Sequence, residues 1–371
     1  MSNTAQDLLF DLTLTDEQRM SRDTMARFSA AEIRTESATA DLAGAAPEVF
    51  YQQTMELGLA LMPIPEALGG AGMHRSPVSN VLNAEDLAHG DLALALGAIS
   101  PLAFVNTVLD QGSDAQREKF LPQFCGEQFC NATTALMEPR ATFEPTELQT
   151  RAVRNDTGYL LSGTKTMVPL GLDAELVLVI AELEDEGTAA FIIEGTPDGM
   201  TRSAESHMGL RSLQLATLDF QNVSLAPDSR LGDQLFNLER FIDLSNIGIC
   251  ALAVGTCQAV LDYVKDYCNE RIAFGEPITN RQSVAFMIAD IAIELEAMRL
   301  MTWRAASRAE QGLDFHEEAY NAKVFCAEHS MQIGTDGVQL LGGHGFCCEH
   351  PVELWYRNLR AIAILEGVAA V

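Results

Sequence analysis

The chain has 371 residues, 24 of them basic and 52 acidic, for a formal net charge of −28 at neutral pH. Such an acidic excess argues against binding nucleic acid or an anionic membrane, since both need a basic face, and any anionic ligand would require locally arranged basic groups. With 47% hydrophobic and 20% charged residues, the length allows two or three domains with buried cores.

Thr15-Asp16-Glu17-Gln18 is a reciprocal capping pattern that opens a helix carrying Met20, Met25 and Phe28. Pro47 starts a second helix, which ends near Gly58, and the stretch from Pro63 to Gly72 is too rich in Pro and Gly to be helical. Helices follow from about Pro77 to His89 and from Leu92 to Leu109, and Ser113-Asp114-Ala115-Gln116 repeats the capping pattern. From Gln128 to about Asp233 the apolar runs become short and β-rich: Leu176 to Ile180, Ala190 to Ile193 and Leu218 to Val223, with a turn at Asn155-Asp156-Thr157-Gly158. This spacing predicts a small antiparallel barrel or sandwich. Long helices return at about Leu235. Val284, Ile288, Ile291, Leu295 and Met298 recur in steps of four and three, the seam of a packed bundle, and a last long helix runs from about Glu317 to Leu341. The expected order is a helical domain (1–128), a β domain (129–234) and a helical bundle (235–371).

No stretch reads as a membrane span, and the start Met1-Ser2-Asn3-Thr4-Ala5-Gln6-Asp7 lacks a basic signal-peptide opening. The eight cysteines are scattered and read as reduced thiols, so a cytoplasmic chain is expected. His344, Cys347, Cys348 and His350 cluster, but no second ligand group stands at zinc-site spacing, and no metal is expected. One residue stands apart. From Ala361 to Val371 the chain is apolar except for Glu366, which Gly367 follows. A carboxylate buried there would have a raised pKa and could act as a base near neutral pH, with Gly367 admitting backbone close to a ligand. The alternative is a helix-end glutamate facing solvent.

Five spaced patterns together resemble the acyl-CoA dehydrogenases. They are Gly58-Leu59 leading to Ile64-Pro65-Glu66-Ala67-Leu68-Gly69-Gly70-Ala71-Gly72; Met208-Gly209-Leu210-Arg211 with Leu218 to Val223 and Leu231-Gly232; Arg271-Ile272-Ala273-Phe274-Gly275-Glu276-Pro277-Ile278 with Gln282; Gln339-Leu340-Leu341-Gly342-Gly343-His344-Gly345-Phe346; and Arg357 through Gly367. The resemblance covers essentially the whole chain. It implies an N-terminal α domain, a middle β-barrel and a C-terminal four-helix bundle. It also implies an FAD enzyme that removes two hydrogens from Cα and Cβ of an acyl thioester borne by CoA or a carrier protein. Glu366 matches the general base, and its amide would help polarise the thioester carbonyl. The position used for the base by some other members is Ser245 here, which cannot serve. Arg271, Phe274, Gln282, Gln339, Gly342 and Gly343 match residues that clamp the pyrophosphate and adenine side of an FAD seated on a neighbouring subunit. The resemblance therefore implies a dimer or tetramer, with an electron-transfer flavoprotein as acceptor.

The departures gather on the flavin-ring side. Met137 and Phe143 replace a hydroxyl residue and a small serine, and Met167-Val168-Pro169 stands where the family has Trp-Ile-Thr. In the acyl-CoA region Asp243 matches a substrate contact, whereas Asn246 replaces an arginine found in many members. Val368 follows Gly367 in place of threonine, and Val371 falls short of the family's usual final helix. Two readings follow: an active dehydrogenase with an altered pocket, which Glu366 favours, or a degenerate subunit that clamps another chain's FAD, which Met137, Phe143 and Pro169 favour.

Overall fold

Side-chain caps set where the N-terminal helices begin. The structure, a computed structural model, describes residues 13–369 and Val371; residues 1–7, read above for a targeting signal, lie outside them. Helix α1 (Asp16–Phe28) opens on Thr15, whose hydroxyl accepts from the Gln18 amide at 3.1 Å while the Gln18 side chain accepts from the Thr15 amide at 3.0 Å. After a widened turn at Ser29–Ile33 come α2 (Arg34–Ala43) and α3 (Glu48–Thr54). The stretch expected to be non-helical holds a single short turn, Glu66–Leu68. Then α4 (Pro77–Ala88) is capped by Ser76, α5 (Leu92–Gln111) by Asp91 and α6 (Asp114–Phe120) by Ser113.

The middle region folds as a curled seven-stranded sheet: β1 (Ala132–Ala135), β2 (Arg151–Asn155), β3 (Gly158–Val168), β4 (Leu176–Leu183), β5 (Gly187–Glu194), β6 (Met200–Ala204) and β7 (Ala216–Leu225). The order is β1-β4-β2-β3-β7-β6, with β5 also paired to β4. The sheet is not purely antiparallel, as the spacing predicted, because both β1 and β2 run parallel to β4. The reason lies in β4 itself. Its continuous apolar run is buried on both faces, as in a central strand with neighbours on either side, and alternation gave no hint of their direction.

The C-terminal region is a bundle of α7 (Leu238–Glu270), α8 (Gln282–Glu310) and α9 (His316–Leu341), followed by α10 (Val352–Leu359). In the α8 seam Ile291, Leu295 and Met298 are buried, whereas Val284 and Ile288 are only half-buried. Contrary to the sequence reading, two helices, α5 and α7, are long and apolar enough to span a membrane; 94% and 89% of their apolar windows are buried inside the fold. Core packing accounts for their apolarity.

The three regions meet at Arg357-Asn358, at the end of α10. Arg357 binds Asp41 of α2 at 2.8 and 3.0 Å and donates to the Met208 carbonyl at 3.0 Å, and Glu353 holds it from its own helix. Gly209 lies so close to the Arg357 carbonyl that any side chain would collide. Asn358 is buried, and its orientation is dictated by its neighbours. The Leu210 amide donates to its Oδ1 at 2.8 Å, so its Nδ2 must face Asp91, at 3.0 Å. Asp91 in turn caps α5 through the Leu94 amide at 2.9 Å. Burial pushes the Asp91 carboxyl up to about 6, against the backbone donors that favour its ionised form.

This chain of acceptor and donor generates a prediction. Asn358→Asp sets a second carboxylate against Asp91 and should lower the thermal midpoint at about pH 7.5 by a few degrees, since an unmet buried hydrogen bond costs about 1–3 kcal/mol. Much of the loss should return at about pH 5, where one of the two carboxyls takes up a proton. Because Asp91 is raised in the folded state, its contribution to stability is present below its unfolded pKa and is lost as pH rises through about 6. Thermal scans across that range should therefore show a slope that Asp91→Asn removes.

Candidate active site

Beyond the turn Arg360–Ala363 the chain leaves helix, and side chains from three elements hold it. Lys323 of α9 donates to the Leu365 carbonyl at 2.5 Å, Thr134 of β1 donates to the Gly367 carbonyl at 2.5 Å, and Ser245 of α7 accepts from the Ala369 amide at 3.4 Å. Glu366 lies between the first two anchors. Gly367 takes φ +68°, and a β-carbon there would lie 2.6 Å from the Leu136 side chain, so both conformation and space require glycine.

Glu366 is neither a solvent-facing helix end nor without a partner. Its side chain is 26% exposed and its carboxylate stands 3.8 Å from the Lys323 ammonium. Burial raises its pKa, Lys323 opposes this, and Glu144 adds to the rise; the net shift is upward. A carboxylate so placed is a stronger base than one in water.

Gly367 abuts Leu136, which brings the base-bearing segment against the end of β1 and Met137. The Met137 carbonyl accepts from the Thr166 amide at 2.9 Å, setting Met137 beside the end of β3. Met137, Met167, Val168 and Pro169 are all buried, and Phe143 is half-buried against the same core. Beneath them lies a buried ion pair. Lys165 donates to the Leu136 carbonyl at 2.8 Å and to Glu138 at 3.0 Å, and Glu138 also accepts from the Gln149 and Thr150 amides. Burial pushes the Lys165 pKa down to about 8 in spite of Glu138. Burial also works against the Glu138 charge, but Lys165 and the two amides outweigh it and hold the carboxyl low. Met167 itself sits at φ +55°, a costly conformation for a side-chain-bearing residue, and its amide donates to Glu205 at 3.0 Å. Glu205 further accepts from Thr166 and Thr217, each at 2.6 Å.

On α7, Asp243 is buried and bonded to His316 at 3.0 Å. Burial raises the Asp243 pKa against the pull of His316, while the hydrogen bond that Asp243 accepts raises that of His316. Asn246, one turn further, is 6% exposed, and its side-chain oxygen has no hydrogen-bond partner among the described residues.

The other predicted residues gather at the opposite end of the bundle. Arg271 ends α7, Phe274 lies in the following hairpin at φ +56° and 97% exposed, and Gln282 begins α8. The end of α9, with Gln339, Gly342 and Gly343, is brought beside them where the Cys268 thiol meets the Leu340 carbonyl at 4.0 Å. All six are exposed, and the Arg271 side chain makes no hydrogen bond or ion pair among the described residues. Nothing lies within 4 Å of a β-carbon placed on Gly342 or Gly343. An unpaired guanidinium, an outstanding aromatic ring and an open glycine turn suit a pyrophosphate and an adenine, and so fit this half of FAD. On the ring side the chain presents the thioethers of Met137 and Met167 and the half-buried Phe143, an apolar wall suited to a flat ring.

From Ser245, beside the Glu366 segment, to Arg271 is 26 residues of one helix, or about 39 Å by helical rise. The predicted residues therefore gather at two separate ends of α7.

Five contributing residues went unassigned in the sequence. Lys323 carries a periodic signal, for it falls in the buried stripe Ala319, Ala322, Cys326 of α9, where a lysine is out of place. Glu205 stands three residues before the Met208-Gly209 pattern. Thr134 and the Lys165–Glu138 pair carry no local signal, because their partners are distant in sequence.

Three family models match in chain order: the acyl-CoA dehydrogenase N-terminal domain over residues 15–128, the middle domain over 133–223 and the C-terminal domain over 237–371. The chain is 31% identical over 370 residues to the benzylmalonyl-CoA dehydrogenase of Aromatoleum aromaticum, covering 97% of each protein. It is 30% identical over 368 residues to the mitochondrial short-chain specific acyl-CoA dehydrogenase of Bos taurus, covering 96% of this chain and 88% of that one. The solved butyryl-CoA dehydrogenase of Megasphaera elsdenii superposes with a TM-score of 0.88 at 29% identity, covering 96% of this chain and 95% of that one. With three matching domains in the right order and relatives that span almost all of its length, the chain belongs to the acyl-CoA dehydrogenase family.

Proposed function

We propose that this chain is an FAD-dependent dehydrogenase that oxidises the Cα–Cβ bond of an acyl thioester, with Glu366 as the base that takes the α proton. The observation that carries this reading is Glu366 itself, a half-buried carboxylate with a raised pKa, fixed on both sides by side chains of two other elements. A scaffold subunit would have no use for such a base, and the alternative of a degenerate partner is not favoured.

When bound, FAD supplies the hydride-accepting chemistry. The protein's part is to place the thioester and to move the proton. The Glu366 amide donates to the thioester carbonyl, which stabilises charge developing there as the α proton leaves. Glu366 takes that proton across a short, fixed distance, since the Leu365 and Gly367 carbonyls are both tied down. The apolar wall of Leu136, Met137, Met167 and Phe143 keeps water away and sustains the high pKa of the base. Electrons then pass to an electron-transfer flavoprotein, a partner inferred from family membership.

The working form is an oligomer, at least a dimer. Support comes from the separation of the half-sites along α7 and from an exposed apolar stripe on α8. Phe286, Ile293 and Leu300 stand seven residues apart, at 59%, 67% and 36% exposure, beginning one turn from Gln282. A second copy covering this stripe would bring Arg271, Phe274 and Gln282 to its own partner's FAD.

Glu366→Gln should keep fold and flavin but lower the exchange of the substrate α proton with solvent by at least ~10²–10⁴-fold; undiminished exchange would remove Glu366 from the mechanism. The chain purified alone should carry flavin absorbance, and colourless protein that yellows only with a second, different chain would decide for the partner reading. Ile293→Glu should reduce the mass seen by sedimentation and release flavin together, because the clamp leaves with the partner.

A further inference from the structure

Lys323 is a lysine in the wrong place for solubility. It is 7% exposed, the eighth residue of a 26-residue helix, on the face occupied by Ala319, Ala322 and Cys326. Burying an ammonium is costly unless it is paired and hydrogen-bonded. Its Nζ meets the Leu365 carbonyl at 2.5 Å and stands 3.8 Å from the Glu366 carboxylate. The second distance is too long for a hydrogen bond and short enough for a strong charge interaction in a site poor in water. We infer that Lys323 is a positioning residue for the proposed base: its hydrogen bond fixes the peptide that carries Glu366, and its charge keeps that carboxylate ionised at working pH.

The inference rests on the proposed role of Glu366 for its catalytic meaning, though the coupling between the two groups stands on geometry alone. Few other titratable groups face the pair. From α7 comes Cys250, and from α9 Cys326, whose thiol is held far above its ordinary range by its hydrogen bond with Cys250 and by burial, and so stays neutral. From the loop after β1 comes Glu144, which pushes Glu366 upward. Further along α7, Asp243 and His316 are bonded to each other. Among the described residues, Lys323 is the one cation whose charge opposes the burial of Glu366. Burial in turn pushes the Lys323 ammonium down, while Glu366 holds it up. The two buried charges sustain each other.

The sign of the effect follows. Burial and Glu144 raise the Glu366 pKa, and without the ammonium nothing named here opposes them. The base would then ionise only at higher pH, and the acid limb of the reaction would move up.

The test uses the FAD-loaded protein labelled with carboxyl-¹³C glutamate, the Glu366 signal being identified by its loss in Glu366→Gln. In Lys323→Met the midpoint of that signal should rise by about 1–3 pH units, the range for loss of an opposite charge at this distance. The acid limb of α-proton exchange should rise with it, at unchanged flavin content. Lys323→Arg should restore much of the wild-type midpoint. A midpoint that stays or falls in Lys323→Met, or an arginine variant that behaves like methionine, overturns the inference. Should Lys323→Met fail to fold, ¹⁵N-lysine spectra of Glu366→Gln give the reciprocal measurement. Coupling is mutual, so the Lys323 midpoint must fall there, and an unmoved one is equally decisive against the inference. If Glu366→Gln exchanges the α proton normally while the two midpoints remain coupled, the pairing stands and the catalytic role of Glu366 falls.

Discussion

The junction at Arg357-Asn358 governs the rest of the molecule. Two consecutive side chains of α10 tie the first helical region through Asp41 and Asp91, the β region through Met208 and Leu210, and the bundle through Glu353. Glu366 follows Asn358 by only eight positions, so the register of the final segment is set here, where three regions agree on one position. The polarity of the contact allows a single arrangement. A backbone amide can only donate and an ionised carboxylate only accept, so a carboxamide fits between them and a second carboxylate does not. With Asp91 opposite, the amide is the form that satisfies every partner.

Sequence and structure agree best where the causes are local. The capping patterns at Thr15 and Ser113 form as written, the 155–158 turn joins β2 to β3, and the buried part of the α8 seam runs from Ile291 to Met298. Glu366 was visible as a charge in an apolar run. What sequence could not supply was its company. Lys323 lies 43 positions away and Thr134 lies 232 positions away, and no periodicity joins a lysine on a helix to a glutamate in an irregular segment. The direction of β4's neighbours was hidden for a related reason, because a strand buried on both faces reads the same whichever way its partners run. The polar order at Asn358 was equally illegible, being set by groups 148 and 267 residues distant.

Charge is distributed with economy in a chain of net −28. Arg22, Arg299 and Arg357 are committed to carboxylates of their own fold, Lys165 to Glu138, and Lys323 to the segment of Glu366. Arg271, by contrast, ends α7 exposed, its side chain without a partner among the described residues. In an acidic protein the surrounding field works against an anion everywhere, so recognition of a pyrophosphate needs a cation that no neighbouring carboxylate has neutralised. The bare guanidinium is what such a surface must keep in reserve.

The two half-sites then impose a division of labour on α7. Its first turns support the segment that carries the base, through Ser245 and the close approach of Gly248 to the Ala369 carbonyl, and its last residues lead to Arg271 and Phe274. A helix of 33 residues holds these ends apart. If each base faces a cofactor whose far end is gripped by another copy, damage at Arg271 appears in the partner's active site, and damage at Glu366 in its own. Mixed oligomers of the two variants would then recover one intact site from two defective chains, a complementation that a self-contained monomeric site cannot give.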